Sequence, residues 1–371
     1  MTALLAGSAV VTCLGTGAET FDALLDGRSG LGPLRRTDAE RLSVSRGYHI
    51  ADDDSCFRAG AWLTQCVRQA LDEAEITPQT HRIAAVIGTG LRELRTLERW
   101  EEPPADFPTH LLHFGSAARA AEPALTEVVT VSNACSAGGH ALAMAQDMLD
   151  LGEADAVVVG ATDEMSGSML TMIGRVAEEP TEAVRPFDAD RGGVLLGEGA
   201  AAVVLVAEGA TERPLARVLA TGVSCDAHHE TAPSTEGLGR AVTDALRRGD
   251  RTGRDVDLVV AHGTGTALND PAEARVLLEN VVGDGPGPLV TALKGAIGHT
   301  SGASALHNLD VAIRALRHGR VPPVVGLRHP LPEGEGLRFA VDSTPTAPMR
   351  LAQIDAFGFG GVNTVTLLEA V

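Results

Sequence analysis

The stretch VSNACSAGGHALAMAQDML, residues 131–149, decides how the rest of the chain is read. Val131 closes an apolar run that begins near Val128, Gly138 and Gly139 sit just past a turn, and Ala141 to Leu149 are mostly strong helix formers. Strand, turn and helix follow one another, with Cys135 at the hinge. A helix opening just after Cys135 aims free N–H groups and its positive dipole end at the sulfur, which lowers a thiol's pKa. Free cysteines are also common as small buried hydrophobes. This segment by itself leaves Cys135 either a nucleophile or filler in a packed turn.

Three more segments have the same design. In DLVVAHGTGTALNDPAEARVL, residues 257–277, an apolar strand delivers His262 at its end and a Gly/Thr loop follows. Asn269 or Asp270 can cap a helix beginning at Pro271. His262 is placed for polar chemistry there, or is a turn histidine bonded to backbone. In LVTALKGAIGHTSGASALHNLDVAI, residues 289–313, a strand enters a glycine-containing turn that carries Lys294 and His299, and a helix follows. Of the 30 Lys and Arg residues, Lys294 is the only lysine. A chain that otherwise uses arginine keeps one compact ammonium here, and the two side chains differ in shape, hydration and ease of pKa shift. In IDAFGFGGVNT, residues 354–364, a glycine-rich turn joins two apolar strands. Its glycines let the backbone approach a ligand, and a phenylalanine beside them acts as a movable wall or as a hydrophobic plug.

Around these segments the chain alternates. Strands are expected at 7–11, 83–87, 128–132, 156–160, 200–206, 256–261, 289–293, 351–356 and 362–368, and helices at 19–26, 57–74, 138–150, 237–248, 271–281 and 303–318. Short apolar strands between amphipathic helices imply an α/β protein with its sheet covered on both faces. The strand near 200–206 closes a first half, residues 1–208, and the chain restarts over 209–371. No sequence repeat links the halves by eye. Residues 95–127 break the alternation. Glu98, Glu101 and Glu102 precede Pro103-Pro104 there, which suggests a surface lid or partner contact, or an irregular solvated connection.

The composition agrees: 44% hydrophobic residues, 42 glycines and 3% aromatics over 371 residues suit a sheet-rich enzyme packed with Ala, Val and Leu. A net charge of −19 argues against nucleic acid or an anionic membrane as partner. Cys13, Cys56, Cys66, Cys135 and Cys225 show no CxxC pair or metal-ligand spacing, which fits a reducing cytoplasm and no metal site. The opening MTALLAGSAVVTCLGTGAE lacks a basic start and reads as a first strand.

Taken together, GTGAETFDALLDGRSGLGPL, NACSAGGHAL, RPFDADRGGVLLGEGAAAVVL, AHGTGTALNDPAEA, KGAIGHTSGASAL and FGFGGVNT resemble, in order and spacing, the β-ketoacyl synthases of the thiolase superfamily. The resemblance implies a thiolase-like fold: two similar βαβαβαββ halves in a five-layer αβαβα sandwich. It implies that Cys135 accepts the acyl group, that His262 and His299 donate N–H bonds to a malonyl thioester, and that Lys294 and Glu273 support them. It places the oxyanion hole at the N–H groups of Cys135 and Phe359, a gate at Phe359 and pantetheine contacts at Thr264 and Thr266. The substrates are then phosphopantetheine-linked acyl and malonyl groups on an acyl carrier protein, with no bound cofactor. The assembly is a homodimer, or a heterodimer with a chain-length-factor-like subunit. The chain departs from the family in its short 90–127 region and at Asn133, His140, Gly295 and Val362.

Readings from three classes remain. The first is a decarboxylative ketosynthase of fatty acid or polyketide synthesis. The second is an acyltransferase or thioesterase that uses Cys135 without condensation. The third is a non-catalytic partner subunit, against which the retained cysteine argues. Carrier docking needs local basic residues, and Arg58 and Arg68 on one helix are candidates.

Overall fold

The protein, seen here as a computed structural model, is described over residues 2–35, 42–100, 106–176, 180–283, 285–342 and 348–371. Strands β1 (Ala3–Thr12), β2 (Ile83–Gly88), β3 (Val128–Val131), β4 (Ala156–Asp163) and β5 (Gly199–Ala207) pair in the order β1-β5-β4-β2-β3. Strands β6 (Ala216–Cys225), β7 (Leu258–Val260), β8 (Leu289–Thr291), β9 (Leu351–Gly358) and β10 (Val362–Glu369) repeat that order as β6-β10-β9-β7-β8. In both sets the β4-β2-β3 and β9-β7-β8 runs are parallel and the remaining pairs antiparallel. The sets meet where β1 pairs with β6, at Ala3–Val218, Leu4–Arg217 and Leu5–Ala216.

Helices fill the layers. Helix α1 (Arg58–Ala74) covers β1, β5 and β4 from outside. Two helices run between the strand sets: α2 (Ala137–Asp150) touches β2 and β4 on one side and β6 and β10 on the other. Helix α3 (Thr235–Arg248) covers β6 and β10 from outside, and α4 (Asn269–Leu277) packs against it. The second inner helix, α5 (Ser304–His318), touches β7 and β9 and, across the gap, β1 and β5. The result is the five-layer αβαβα sandwich. Strands covered on both faces need apolar residues on both faces, which is why β4 and β5 read AVVVGATD and GAAAVVLVA and are buried almost throughout. The glycines of the opening stretch let α2 sink into this sandwich. A Cβ on Gly139 would lie 2.0 Å from Thr364 Oγ1, and one on Gly138 would lie 2.8 Å from the Gly302 carbonyl.

Four expectations change. Strand β6 was not expected, because Arg217, Thr221 and Gly222 interrupt its apolar run. Nor was the helix Gly167–Val176. The helix expected at 271–281 is α4 followed by a π-helical turn, Leu278–Val282. The 95–127 region is more ordered than a lid. Phe114 and Ala118 are buried against α1, and the Glu98 carboxylate accepts the N–H groups of Gly167 and Ser168 at 2.7 and 2.9 Å. Glu101, Glu102, Pro103 and Pro104 lie outside the described residues.

Candidate active site

The loop ends of both strand sets converge on Cys135. It occupies the 3-10 turn Ala134–Ser136 between β3 and α2, where Ala134 has φ +48°. A non-glycine residue in that region is a mark of strain held by its surroundings. The Cys135 Sγ lies 2.9 Å from His299 Nε2. The backbone N–H groups of Phe359 and of Cys135 itself reach the same sulfur. These are the two groups expected to form the oxyanion hole.

Burial pushes the Cys135 thiol up to about 11, against the pull of Lys294 and the Phe359 N–H. The direction is opposite to the lowering expected from the helix mouth: taking the charge out of water outweighs the helix end. The resting group is a thiol beside a hydrogen-bonding imidazole.

His262 is gripped through its backbone. Its N–H donates to Glu273 Oε1 at 2.7 Å, and Lys294 Nζ donates to its carbonyl oxygen. Lys294 Nζ also lies 3.3 Å from His262 Nδ1. An ammonium only donates, so Nδ1 accepts and the ring proton sits on Nε2. The imidazoles of His262 and His299 stand edge to face, 5.4 Å between centroids. Burial, then the charge of Lys294, holds both well below the usual histidine range, so both are neutral. Burial likewise pushes Lys294 down and Glu273 up, while their mutual attraction opposes both shifts. The ammonium and carboxylate thus sit on opposite ends of one peptide segment.

Thr264 and Thr266 lie in the loop after β7, with their hydroxyls 2.8 Å apart. Asp270, expected as a helix cap, instead turns back and accepts the N–H groups of Thr264, Gly265 and Phe187. Phe359 stands in the turn Phe359–Gly361 with 40% of its surface exposed, whereas Phe357 packs on the His262 ring at 5.7 Å. Arg58 is not available for docking. It is 2% exposed, bound to Asp52, Glu164 and Glu198, and lies over Trp62. Arg68 is exposed and donates to the Ala120 carbonyl. Sequence reasoning passed over Arg185 and Arg191, which flank the threonine loop. Arg191 Nε donates to the Thr266 carbonyl at 3.0 Å, and the Arg185 backbone packs on Gly265.

Two family descriptions match the chain: "Beta-ketoacyl synthase, N-terminal domain" over residues 4–209 and "Beta-ketoacyl synthase, C-terminal domain" over 215–328. The chain belongs to the β-ketoacyl synthase family. Among curated β-ketoacyl synthase relatives, it is 31% identical to a 3-oxoacyl-[acyl-carrier-protein] synthase 2 of Mycobacterium bovis, over 96% of this chain and 94% of that protein. It is 30% identical to Nodulation protein E of Rhizobium meliloti, over 93% of each. Among solved structures, a chain of the ishigamide ketosynthase/chain length factor superposes with a TM-score of 0.91 at 29% identity, covering 100% of this chain and 99% of that one. The match to a 3-oxoacyl-[acyl-carrier-protein] synthase 2 of Coxiella burnetii runs over 409 aligned positions. That is longer than the 371-residue chain, so the relative carries segments that this β-ketoacyl synthase lacks. Among the described residues, no helix is long and apolar enough to cross a membrane, and no His, Cys, Asp and Glu group could hold a metal ion.

Proposed function

We propose that this chain is a β-ketoacyl-[acyl-carrier-protein] synthase that joins an acyl-Cys135 intermediate to a malonyl thioester with loss of CO2. The observation that carries this reading is the Cys135–His299 contact of 2.9 Å, with neutral His262 beside it and Lys294 behind. Cys135 attacks the acyl thioester, its proton passes to His299, and that proton then leaves with the carrier thiol. The N–H groups of Cys135 and Phe359 hold the negative oxygen of the tetrahedral intermediate. In the second half-reaction the malonyl carboxylate departs as CO2. The electrons left behind form an enolate, whose oxygen accepts a hydrogen bond from the Nε2–H of His262. The enolate carbon attacks the acyl-Cys135 carbonyl and forms the carbon–carbon bond; the acyl–sulfur bond breaks and returns the thiolate, which takes a proton from solvent.

Thr264 and Thr266 line the approach of the pantetheine arm, and Phe359, whose side chain is exposed in its turn, gates it. Arg185 and Arg191 replace Arg58 as the basic residues facing an acidic carrier. The chain pairs through β3, whose free side is the edge of the sheet. Its partner is a second copy or a chain-length-factor-like subunit of the kind named in the ishigamide structure.

The test is intact mass after incubation with acyl-carriers of several chain lengths, followed by malonyl-carrier with CO2 counted. An adduct on Cys135 followed by CO2 release and a lengthened product supports condensation. An adduct that is hydrolysed or passed on without CO2 assigns an acyltransferase or thioesterase instead. Absence of any adduct assigns a partner subunit.

A further inference from the structure

A line of buried hydrogen bonds runs away from the site behind His299. His299 Nδ1 lies 3.0 Å from Ser304 Oγ, Ser304 Oγ lies 3.2 Å from Thr300 Oγ1, and Thr300 Oγ1 lies 2.9 Å from His307 Nδ1. His307 Nε2 lies 3.1 Å from the Ala200 carbonyl on β5. All four side chains are buried. Of the four, His299 is the one hydrogen-bonded to Cys135.

The direction of each bond follows from its far end. A carbonyl oxygen only accepts, so His307 carries its hydrogen on Nε2. Its ring is buried and neutral, so Nδ1 has only a lone pair and Thr300 must donate to it. With its one hydrogen spent there, Thr300 accepts from Ser304. With its own hydrogen spent on Thr300, Ser304 accepts from His299, which therefore carries its hydrogen on Nδ1. What His299 presents to the sulfur is then the bare lone pair of Nε2. His262 is in the opposite tautomer, because Lys294 occupies its Nδ1.

We infer that Ser304, Thr300 and His307 are positioning residues forming a one-way relay that holds His299 as acceptor of the Cys135 proton, leaving His262 as the imidazole that donates to substrate. This rests on the proposed function for its use, and it divides two histidines that the resemblance treats as equivalent donors. The relay cannot reverse while His307 is neutral, since the Ala200 carbonyl pins its far end. After His299 takes the thiol proton, its Nδ1–H still points to Ser304. The proton therefore has one way out, back through Nε2 to the departing sulfur.

The relay has a readout that needs no condensation: the pH midpoint for alkylation of Cys135 by iodoacetamide. The charged and titratable groups facing Cys135 are Lys294, His299 and Asp163, with His262 next to His299 and Glu273 next to Lys294. Thr300→Val keeps these groups and the side-chain shape, but frees Ser304 to turn its hydrogen toward His299. His299 then carries Nε2–H and donates to the thiolate. The midpoint should fall by about one pH unit, the scale of one hydrogen bond to a charged group. Thr300→Ser keeps the hydroxyl and should restore the original midpoint. Ser304→Ala should lower the midpoint by a similar amount, and it serves as the second variant if Thr300→Val folds poorly. Decarboxylation of malonyl-carrier should hold or rise in both Thr300→Val and Ser304→Ala. An unchanged or raised midpoint in folded Thr300→Val or Ser304→Ala, checked by thermal melting, overturns the relay. Failure of wild-type protein to form an acyl adduct would instead overturn the functional reading, and the alkylation curves would still decide the relay.

Discussion

A half-buried thiol beside a neutral imidazole behaves differently from an exposed thiolate: it waits for a base rather than reacting with whatever arrives. Cys135→Ala should lose the acyl adduct yet keep malonyl decarboxylation, because His262 and the two backbone donors remain; intact mass and CO2 counting report both. His262→Ala should show the reverse, keeping the adduct and losing decarboxylation by a factor on the order of 100 to 1,000, as for removal of one preorganised donor. Lys294→Arg should abolish most condensation while the fold persists. A planar guanidinium cannot occupy a site built around a compact ammonium that lies 3.3 Å from the His262 ring nitrogen and also donates to the His262 carbonyl, and turnover against thermal melting separates the two effects. His307 adds a pH signature. Burial pushes it from its ordinary 6.5 to about 4, so the unfolded chain binds this proton more readily and stability falls as pH drops from about 6.5 toward 4. Urea titrations at several pH values should show a shallower fall in His307→Gln. The residues that touch the reacting atoms were legible because each is an unusual type at a strand end. Thr300, Ser304 and His307 read as an ordinary helix start, and their importance appears only once the Ala200 carbonyl is known to lie at the far end.

At the scale of elements, the alternation of apolar runs and amphipathic stretches was enough to place nine of the strands, since a strand covered on both faces leaves an unbroken apolar signature. Strand β6 escaped because its side chains serve two masters: Arg217 reaches Glu208 and Glu369, while Gly222 lies where a Cβ would fall 2.3 Å from the Ala241 carbonyl of α3. The acidic residue Glu98 shows the same limit. It is exposed, as its charge suggested, but the helix it also caps starts at Gly167, too far along the chain for any local pattern to reveal. Glu98→Ala should cost about 1 kcal/mol, as loss of a helix cap does. It should also speed amide hydrogen exchange over 167–176 with little effect on exchange in α2.

For the whole molecule, the division of labour follows the strand sets. The first supplies the thiol and the second supplies both imidazoles, the ammonium and Glu273, so the site exists only where the inner helices bring the sets face to face. The edge position of β3, next to the nucleophile turn, leads us to expect a dimer at micromolar concentration. Sedimentation should show a dimer of this chain alone, or a one-to-one complex with a related subunit. A monomer under both conditions would overturn pairing through β3.

The turn that presents Cys135 has a counterpart. Ala134 opens the 3-10 turn before α2 with φ +48°, and Ser301 opens the 3-10 turn before α5 with φ +49°. One conformation is written twice, at matching places in two copies of one strand order. The two halves are therefore matched down to the backbone of a single turn residue. The position matching Cys135 is Gly302, where a Cβ would fall 2.6 Å from the Gly90 nitrogen. The second half thus has neither a nucleophile at this turn nor the room for one. Gly302→Cys should melt lower than the parent and, combined with Cys135→Ala, form no acyl adduct, so a chain built from two like copies is committed to a single reaction centre.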